Sequence, residues 1–408
     1  MRKSIVVAVL TAAALTLASC AMPADDPNYN AEAALTGDDP SAAASAAAAD
    51  AAALDTALLP PTSLGVETPL SAPPAKGATI ISILNSGPLD AVVGTAMDEA
   101  AKTLGWTHET VTVDSADPAA AATAFDEAVS KKPAGIHITG EFLDSLAASL
   151  PAAETAKIPV VCTGCSGEPA GGITDTSIDG TAQNVQWGDV LATYVDDNQY
   201  ENEDAVVQVF VLPGGAIADF NSEFDTKLVD LCVECQTSQS IVDPTFTDLA
   251  DPASIAEFLS SEMSISLGAW ALLDAGSLGG DAAVALSEDP TLLAPVTVIG
   301  RAPSAADIAS LASLASAASP APVDPTVGRD AEQAAALQAW IALPLPVMGW
   351  RVMDQFARVI GGDAIETGPL PSQLLTGANA ADAVLDADGN YIGIAGYQDQ
   401  FATLWGVS

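Results

Sequence analysis

The chain is poor in base. Twelve Lys and Arg stand against 53 Asp and Glu, a formal net charge of −41. A surface of that sign repels polyanions, which excludes nucleic acid and anionic lipid surfaces as binding partners. Histidine is scarcer still, with His108 and His137 the only two. That leaves little room for Ser-His-Asp catalysis or a histidine-rich zinc site. Motifs that carry chemistry are missing as well. No G-x-x-x-x-G-K phosphate cradle is present. Gly164-Cys165-Ser166-Gly167 fails as a nucleophile elbow, because its second glycine comes one position early. Asp386-Ala387-Asp388-Gly389-Asn390 begins like a calcium loop, but Tyr391 stands where the glycine is needed and Tyr397 where the closing glutamate belongs. Asp388-Gly389 suits a hairpin turn better. Neither a metal nor a cofactor is expected.

What is present is apolar residue in quantity. At 49% apolar over 408 residues, the chain can bury a large core and is long enough for two or three domain-sized units.

The N-terminus reads as an address. Arg2 and Lys3 precede an apolar run from Ile5 to Leu17, 13 residues long. A helix needs about 20 such residues to cross hydrocarbon, so this run suits a signal peptide. Leu17-Ala18-Ser19-Cys20 resembles the bacterial lipobox. The resemblance implies that 1–20 is removed, that Cys20 is acylated, and that the remainder works on the outer face of the cell membrane. Each acyl CH₂ buried in lipid contributes about 0.8 kcal/mol, and two chains hold firmly where one does not. Residues 21–76 contain 18 Ala, 8 Pro, 8 acids and one aromatic, Tyr29. No apolar face recurs along them, so the expectation is a disordered tether.

From residue 77 the pattern is strand, then helix, repeated. The short apolar run 78–84 reads as a buried strand, and 107–114, 134–139 and 158–161 read as further strands, with helices between them at 90–104, 119–131 and 143–156. Gly105 and Pro133 punctuate the helix ends, and Asp117-Pro118 is a cap followed by proline at the first helical position. The alternation resumes with helices at 180–198, 221–231, 252–262, 278–288 and 305–317. Strands fall at 205–212, 237–242, 269–273 and 296–299, and 337–343 is extended. A last helix at 347–360 stops at Gly361-Gly362. The expected fold class is α/β, with parallel sheets covered on both faces, and 77–408 is too long for one such sheet but natural for two.

Particular stretches sharpen this. Leu104-Gly105-Trp106, Asp114, Asp117-Pro118, Lys132-Pro133-Ala134-Gly135-Ile136 and Ile158-Pro159-Val160-Val161 resemble the first lobe of type I periplasmic binding proteins of the ribose- and galactose-binding group. Gly349-Trp350-Arg351-Val352-Met353-Asp354, Ala357-Arg358, Gly361-Gly362 and the ending Gln400-Phe401-Ala402-Thr403-Leu404-Trp405-Gly406-Val407 are similar to that family's last third. The resemblance implies two similar doubly wound lobes joined by a three-crossing hinge. Lobe 1 would take 77–180, lobe 2 181–343, a return to lobe 1 344–376, and a C-terminal hairpin and tail across the hinge 377–408. It also implies a polar solute, such as a sugar, caught between the lobes and passed to an ABC permease by a monomeric, non-enzymatic subunit. A sensor of the same fold signalling to a membrane kinase, or an extracellular carboxylate-pair glycosidase, are the alternatives.

In open parallel sheets, ligands sit beyond the carboxyl ends of the strands. The residues expected there are Asn85, Ser86, Asp90, Glu141, Phe142 and Thr163 from lobe 1, with Phe220, Asn221, Asp274 and Trp340 from lobe 2. Carboxylates and amides suit sugar hydroxyls, and aromatic rings suit the C–H face. Residues 213–224 contain no arginine to clamp such a ligand.

Four cysteines besides Cys20 fall in two C-x-x-C pairs, Cys162/Cys165 and Cys232/Cys235. Outside the cell, disulfides are favoured. Bridges between the pairs would oppose motion of the lobes, so two local disulfides are expected. Zinc and thiol redox chemistry are the alternatives, and the nearby charges Glu168 and Glu234 disfavour a reactive thiolate.

Overall fold

The computed structural model describes residues 40–114, 117–199, 206–211, 215–232, 236–241, 269–274, 296–314, 333 and 336–407. Residues 1–20, expected to be a signal segment ending at Cys20, together with Cys235 and the expected helices at 252–262 and 278–288, lie outside them. Among the described residues no helix is long and apolar enough to cross a membrane.

The first lobe is a four-stranded parallel sheet of order β2-β1-β3-β4. Its strands are β1 (Thr79–Asn85), β2 (Thr107–Val113), β3 (Gly135–Thr139) and β4 (Val160–Thr163). β1 forms because Ile80 to Leu84 are wanted inside on both faces. Pro88 then opens a helix that runs to Leu104, and left-handed Gly105 ends it by donating its N–H to the Ala101 and Lys102 carbonyls. Asp117 caps the helix Pro118–Lys131 by accepting from the Ala120 N–H at 3.0 Å. The expected helix 143–156 is broken into a single turn, Leu143–Leu146, and a helix Leu150–Ala156.

The second lobe is a six-stranded sheet of order β10-β9-β8-β7-β5-β6. Strands β5 (Val206–Val211), β6 (Gln236–Ile241), β7 (Ala269–Asp274), β8 (Val296–Arg301) and β9 (Ala339–Ala342) run parallel, and β10 (Gln373–Thr376) is antiparallel at the edge. The chain passes between the lobes through 164–180, after β9, before β10, and again between β10 and the C-terminal helix, which packs on lobe 1. The helix following β9 belongs to lobe 1. It is numbered here in chain order with the other helices used below: α1 Pro40–Ala57, α2 Pro88–Leu104, α3 Thr181–Asn198, α4 Ile217–Leu231, α5 Leu345–Gly361 and α6 Tyr397–Trp405. α5 crosses α2 closely, since Gly349 lies against the Val93 carbonyl and any side chain there would collide with it. Residues 345–361 pack on lobe 1, whereas β10, inside the 344–376 segment assigned to lobe 1 from the sequence, pairs with sheet two.

α6 closes the back of α5. The Trp350 and Trp405 rings stack at 5.2 Å, Tyr397 meets Trp350 edge-on, and the Trp405 indole N–H donates to Asp354 Oδ1 at 2.9 Å. Asp354 and Arg358 form a fully buried ion pair at 2.7 Å.

Residues 50–76 differ from the tether expected of them. Leu54, Leu64 and Val66 are buried in the main core. Lys227 of α4 pairs with Asp50 at 2.8 Å, and Gln373 and Asn379 both donate to the Leu58 carbonyl at 2.9 Å. Arg358 donates to the Thr68 carbonyl at 2.7 Å, and the Trp106 indole to that of Ala75 at 2.8 Å. The segment therefore runs from lobe 2 across to lobe 1 as a strap.

Candidate solute-binding cleft

The carboxyl ends of β1, β3 and β4 carry one row of polar groups. At the end of β1, the Asn85 N–H donates to Asp90 Oδ2 at 2.6 Å and its side-chain amide to Glu141 Oε2 at 3.0 Å. The Thr139 hydroxyl donates to the other Glu141 oxygen at 3.1 Å. Thr139 and Thr163 are direct partners in the β3–β4 register, so they share a face. Ser86 is exposed beside Asn85, and its N–H donates to Asn85 Oδ1 at 2.7 Å. Burial pushes the Asp90 carboxyl up to about 6, against the pull of the Asn85 N–H. Five of the six lobe 1 candidates (Asn85, Ser86, Asp90, Glu141 and Thr163) are thus found at these strand ends.

Phe142 is not with them. It is 2% exposed and packs into the outer core of lobe 1 with Phe125 and Leu146. The short helical turn Gly140–Phe142 directs it there, leaving Glu141 outside.

Lobe 2 brings a different set from the one expected. Trp340 sits inside β9, a strand buried at every position, and belongs to the sheet interior. Phe220 and Asn221 lie in the first turns of α4, which starts earlier than expected, and both are buried. Phe220 lies under Arg301, whose guanidinium carbon is 5.9 Å from the ring centroid. The Asn221 side-chain N–H₂ finds no acceptor among the described residues. Asp274 ends β7 in register with Arg301 at the end of β8; its side chain lies outside what is described.

Arg301 was not anticipated. A strand read as ending at 299 places it two residues into a loop, where the strand-end rule that selected Asp274 does not reach it. One of its nitrogens donates to both oxygens of Asp179, at 2.8 and 2.9 Å. Asp179 is in the first crossing, in the left-handed region at φ 52°, and the Asn184 amide donates to its carbonyl at 2.7 Å. Arg301 at the end of β8 is the arginine that stands beside α4, whose own first turns contain none.

The lobes touch at this point. The Ala216 N–H donates to the Gly164 carbonyl at 2.7 Å. Asp219 of α4 accepts from Ser166 at 2.9 Å and Thr181 at 2.6 Å. Gly215 has φ 66°, and a Cβ there would strike the Gly164 carbonyl, so only glycine permits this approach. A disulfide joins Cys162 to Cys165, with Cα atoms 5.8 Å apart, and holds Thr163 and Gly164 between its ends. Cys232 is also disulfide-bonded. Among the described residues no group of three or more His, Cys, Asp or Glu could hold a metal ion.

Two α/β lobes, each built on a mainly parallel sheet and joined by several passages of the chain, make up the type I periplasmic-binding-protein fold. Solved structures share it. A 5-methylthioribose transporter solute-binding protein from Thermotoga lettingae, solved with 5-methylthioribose, superposes with a TM-score of 0.59 at 14% identity, covering 84% of this chain and all of that one (100%). An ABC sugar transporter subunit from Rhodobacter sphaeroides gives 0.53 at 16% identity, covering 73% and 97%. A carbohydrate transporter from Acidothermus cellulolyticus, in complex with myo-inositol, gives 0.54 at 17% identity, covering 75% and 96%. No protein-family profile matches the chain, and no curated protein matches it in sequence.

Proposed function

We propose that this chain is the solute-capturing subunit of an ABC import system, lipid-anchored through Cys20 on the outer face of the membrane, and that it takes a sugar or a similar polyhydroxylated solute. One observation carries the reading. Asn85, Thr139 and Glu141 are joined by hydrogen bonds at the strand ends of lobe 1, and Arg301 at the end of β8 in lobe 2 lies over the Phe220 ring and pairs with Asp179 of the first crossing; these two polar sets support a ligand held from both lobes. Carboxylates and an amide suit hydroxyls that both donate and accept. The unpaired Asn221 amide is a buried donor that a ligand oxygen would satisfy. A solute touching both sets binds the closed form better than the open one, so binding drives closure. The sugar and sugar-alcohol ligands of structurally similar proteins support this class of solute. A monomer handing its cargo to a permease performs no covalent chemistry.

The test is a melting-temperature screen of residues 21–408 against pentoses, hexoses, inositols, 5-methylthioribose, nucleosides and amino acids. Only a ligand that prefers the native state raises the midpoint. The expected result is a rise confined to polyhydroxylated solutes. A rise with amino acids alone would remove sugars from the proposal.

A further inference from the structure

The only two histidines of the chain lie in a single row of side chains that crosses sheet one. His108 Nδ1 is 2.8 Å from Asp98 Oδ1 of α2, and His108 Nε2 is 2.8 Å from Ser82 Oγ of β1. Ser82 Oγ is 3.2 Å from His137 Nδ1 of β3, and His137 Nε2 is 3.0 Å from Thr163 Oγ1 at the end of β4. The His108 ring, Ser82 and His137 are wholly buried, whereas the Asp98 side chain is 49% exposed. The row thus begins at the outer surface of lobe 1 and ends at the carboxyl end of β4, beside the strand-end polar groups.

Asp98, His108 and Ser82 have the connectivity of a hydrolase triad. Ser82 nevertheless cannot serve as a nucleophile, because no substrate reaches it and His137 occupies the other side of its oxygen.

Each bond in the row holds one proton, so the directions are coupled. A carboxylate only accepts, so His108 carries its proton on Nδ1. Nε2 of the neutral ring then accepts the Ser82 hydroxyl proton. The alternative acceptor for that proton, Met97 Sδ at 3.4 Å, is a weak one. Ser82 Oγ in turn accepts from His137 Nδ1, and His137 Nε2 accepts from the Thr163 hydroxyl. Burial keeps both rings below the usual imidazole range, with His137 at about 3, so both are neutral at pH 7.

We propose that Asp98, a surface carboxylate on α2, sets the polarity of the whole row and thereby fixes Thr163 as a hydrogen-bond acceptor toward the cleft. Its only proton is held inward by His137, so Oγ1 offers lone pairs alone. Asp98 is then a positioning residue acting through two histidines, and Thr163 selects solutes that present a hydroxyl or N–H at that point. The selection rests on the solute-binding reading; the polarity of the row does not.

Nitrogen-15 NMR of the labelled imidazoles tests the row without any ligand, since two histidines give two ring systems. At pH 7.5 both rings of the wild type are expected as the Nδ1–H tautomer. In Asp98→Ala, His137, which Asp98 does not touch, is expected to populate the Nε2–H form. In Thr163→Val, the His137 Nε2 signal should move downfield on losing its donor, while Thr163→Ser restores it. A wild-type His137 protonated on Nε2, or a His137 tautomer unmoved in Asp98→Ala, overturns the proposal. Should Asp98→Ala fail to fold, the wild-type spectrum and the Thr163 pair still decide.

Discussion

The Arg358 side chain joins two parts of the chain far apart in sequence: Nε meets Asp354 Oδ2 at 2.7 Å, and a terminal nitrogen donates to the carbonyl of Thr68 at 2.7 Å. Asp354 is held from its other oxygen by Trp405. One buried pair thus ties the 50–76 strap, α5 and the C-terminal helix together. Arg358→Ala leaves Asp354 buried without its cation and should destabilise by about 3–5 kcal/mol, as removing one member of a buried pair does. Urea unfolding measures this; a loss below about 1 kcal/mol would mean the pair is not buried in solution.

The strap predicts a difference between two truncations. A chain starting at residue 40 keeps Leu54, Leu64 and Val66 in the core and the carbonyls of Leu58, Leu64 and Thr68 in place. A chain starting at residue 77 loses them all and strands Arg351 and Arg358 among unfilled contacts. The first should melt as a chain starting at residue 21 does, the second at a markedly lower temperature. Equal midpoints for the two would show that the strap does not dock.

Acid lability follows from His137. Its folded pKa, about 3, lies below the unfolded value of 6.5, so between these the folded state binds fewer protons than the unfolded. Its contribution is complete above pH 6.5 and is lost as pH falls, by at most about 1.4 kcal/mol per pH unit. Denaturant unfolding from pH 7 to pH 4 should show that slope, and His137→Gln should flatten it. An unchanged slope in the variant contradicts the assignment.

Asp90 acts in the opposite sense. Its folded pKa, about 6, is above the model-peptide value of 3.8, so its favourable contribution is full below pH 3.8 and lost as pH rises to about 6. Asp90→Asn should therefore gain stability relative to wild type between pH 4 and pH 6.5. Carbon-13 NMR of the carboxyl checks the cause directly, with a midpoint near 6 expected and one near 4 excluding it.

Much of the fold is legible in the sequence because parallel strands covered on both faces appear as short apolar runs, and Gly105, Pro118 and Gly362 punctuate the helices between them. The strap is not legible. Its apolar anchors, Leu54, Leu64 and Val66, are isolated among alanine and proline, and the arginines that hold it bond to backbone carbonyls, which every sequence offers alike. Strand ends locate Asn85, Glu141 and Thr163, since position along a strand decides which side of the lobe a group reaches. They mislead for Phe142 and Trp340, because an aromatic beside or within a strand can turn into a core that composition does not reveal. Arg301 and Asp179 are paired across 122 residues, and no local pattern in the sequence links them.

The most direct test is calorimetric titration of the solute that most raises the melting temperature, into wild type, Glu141→Gln and Arg301→Lys. Both variants alter the proposed grip, one on each lobe. The account predicts at least about a tenfold loss of affinity in each, roughly 1.4 kcal/mol. Wild-type affinity in both variants would contradict capture between the lobes.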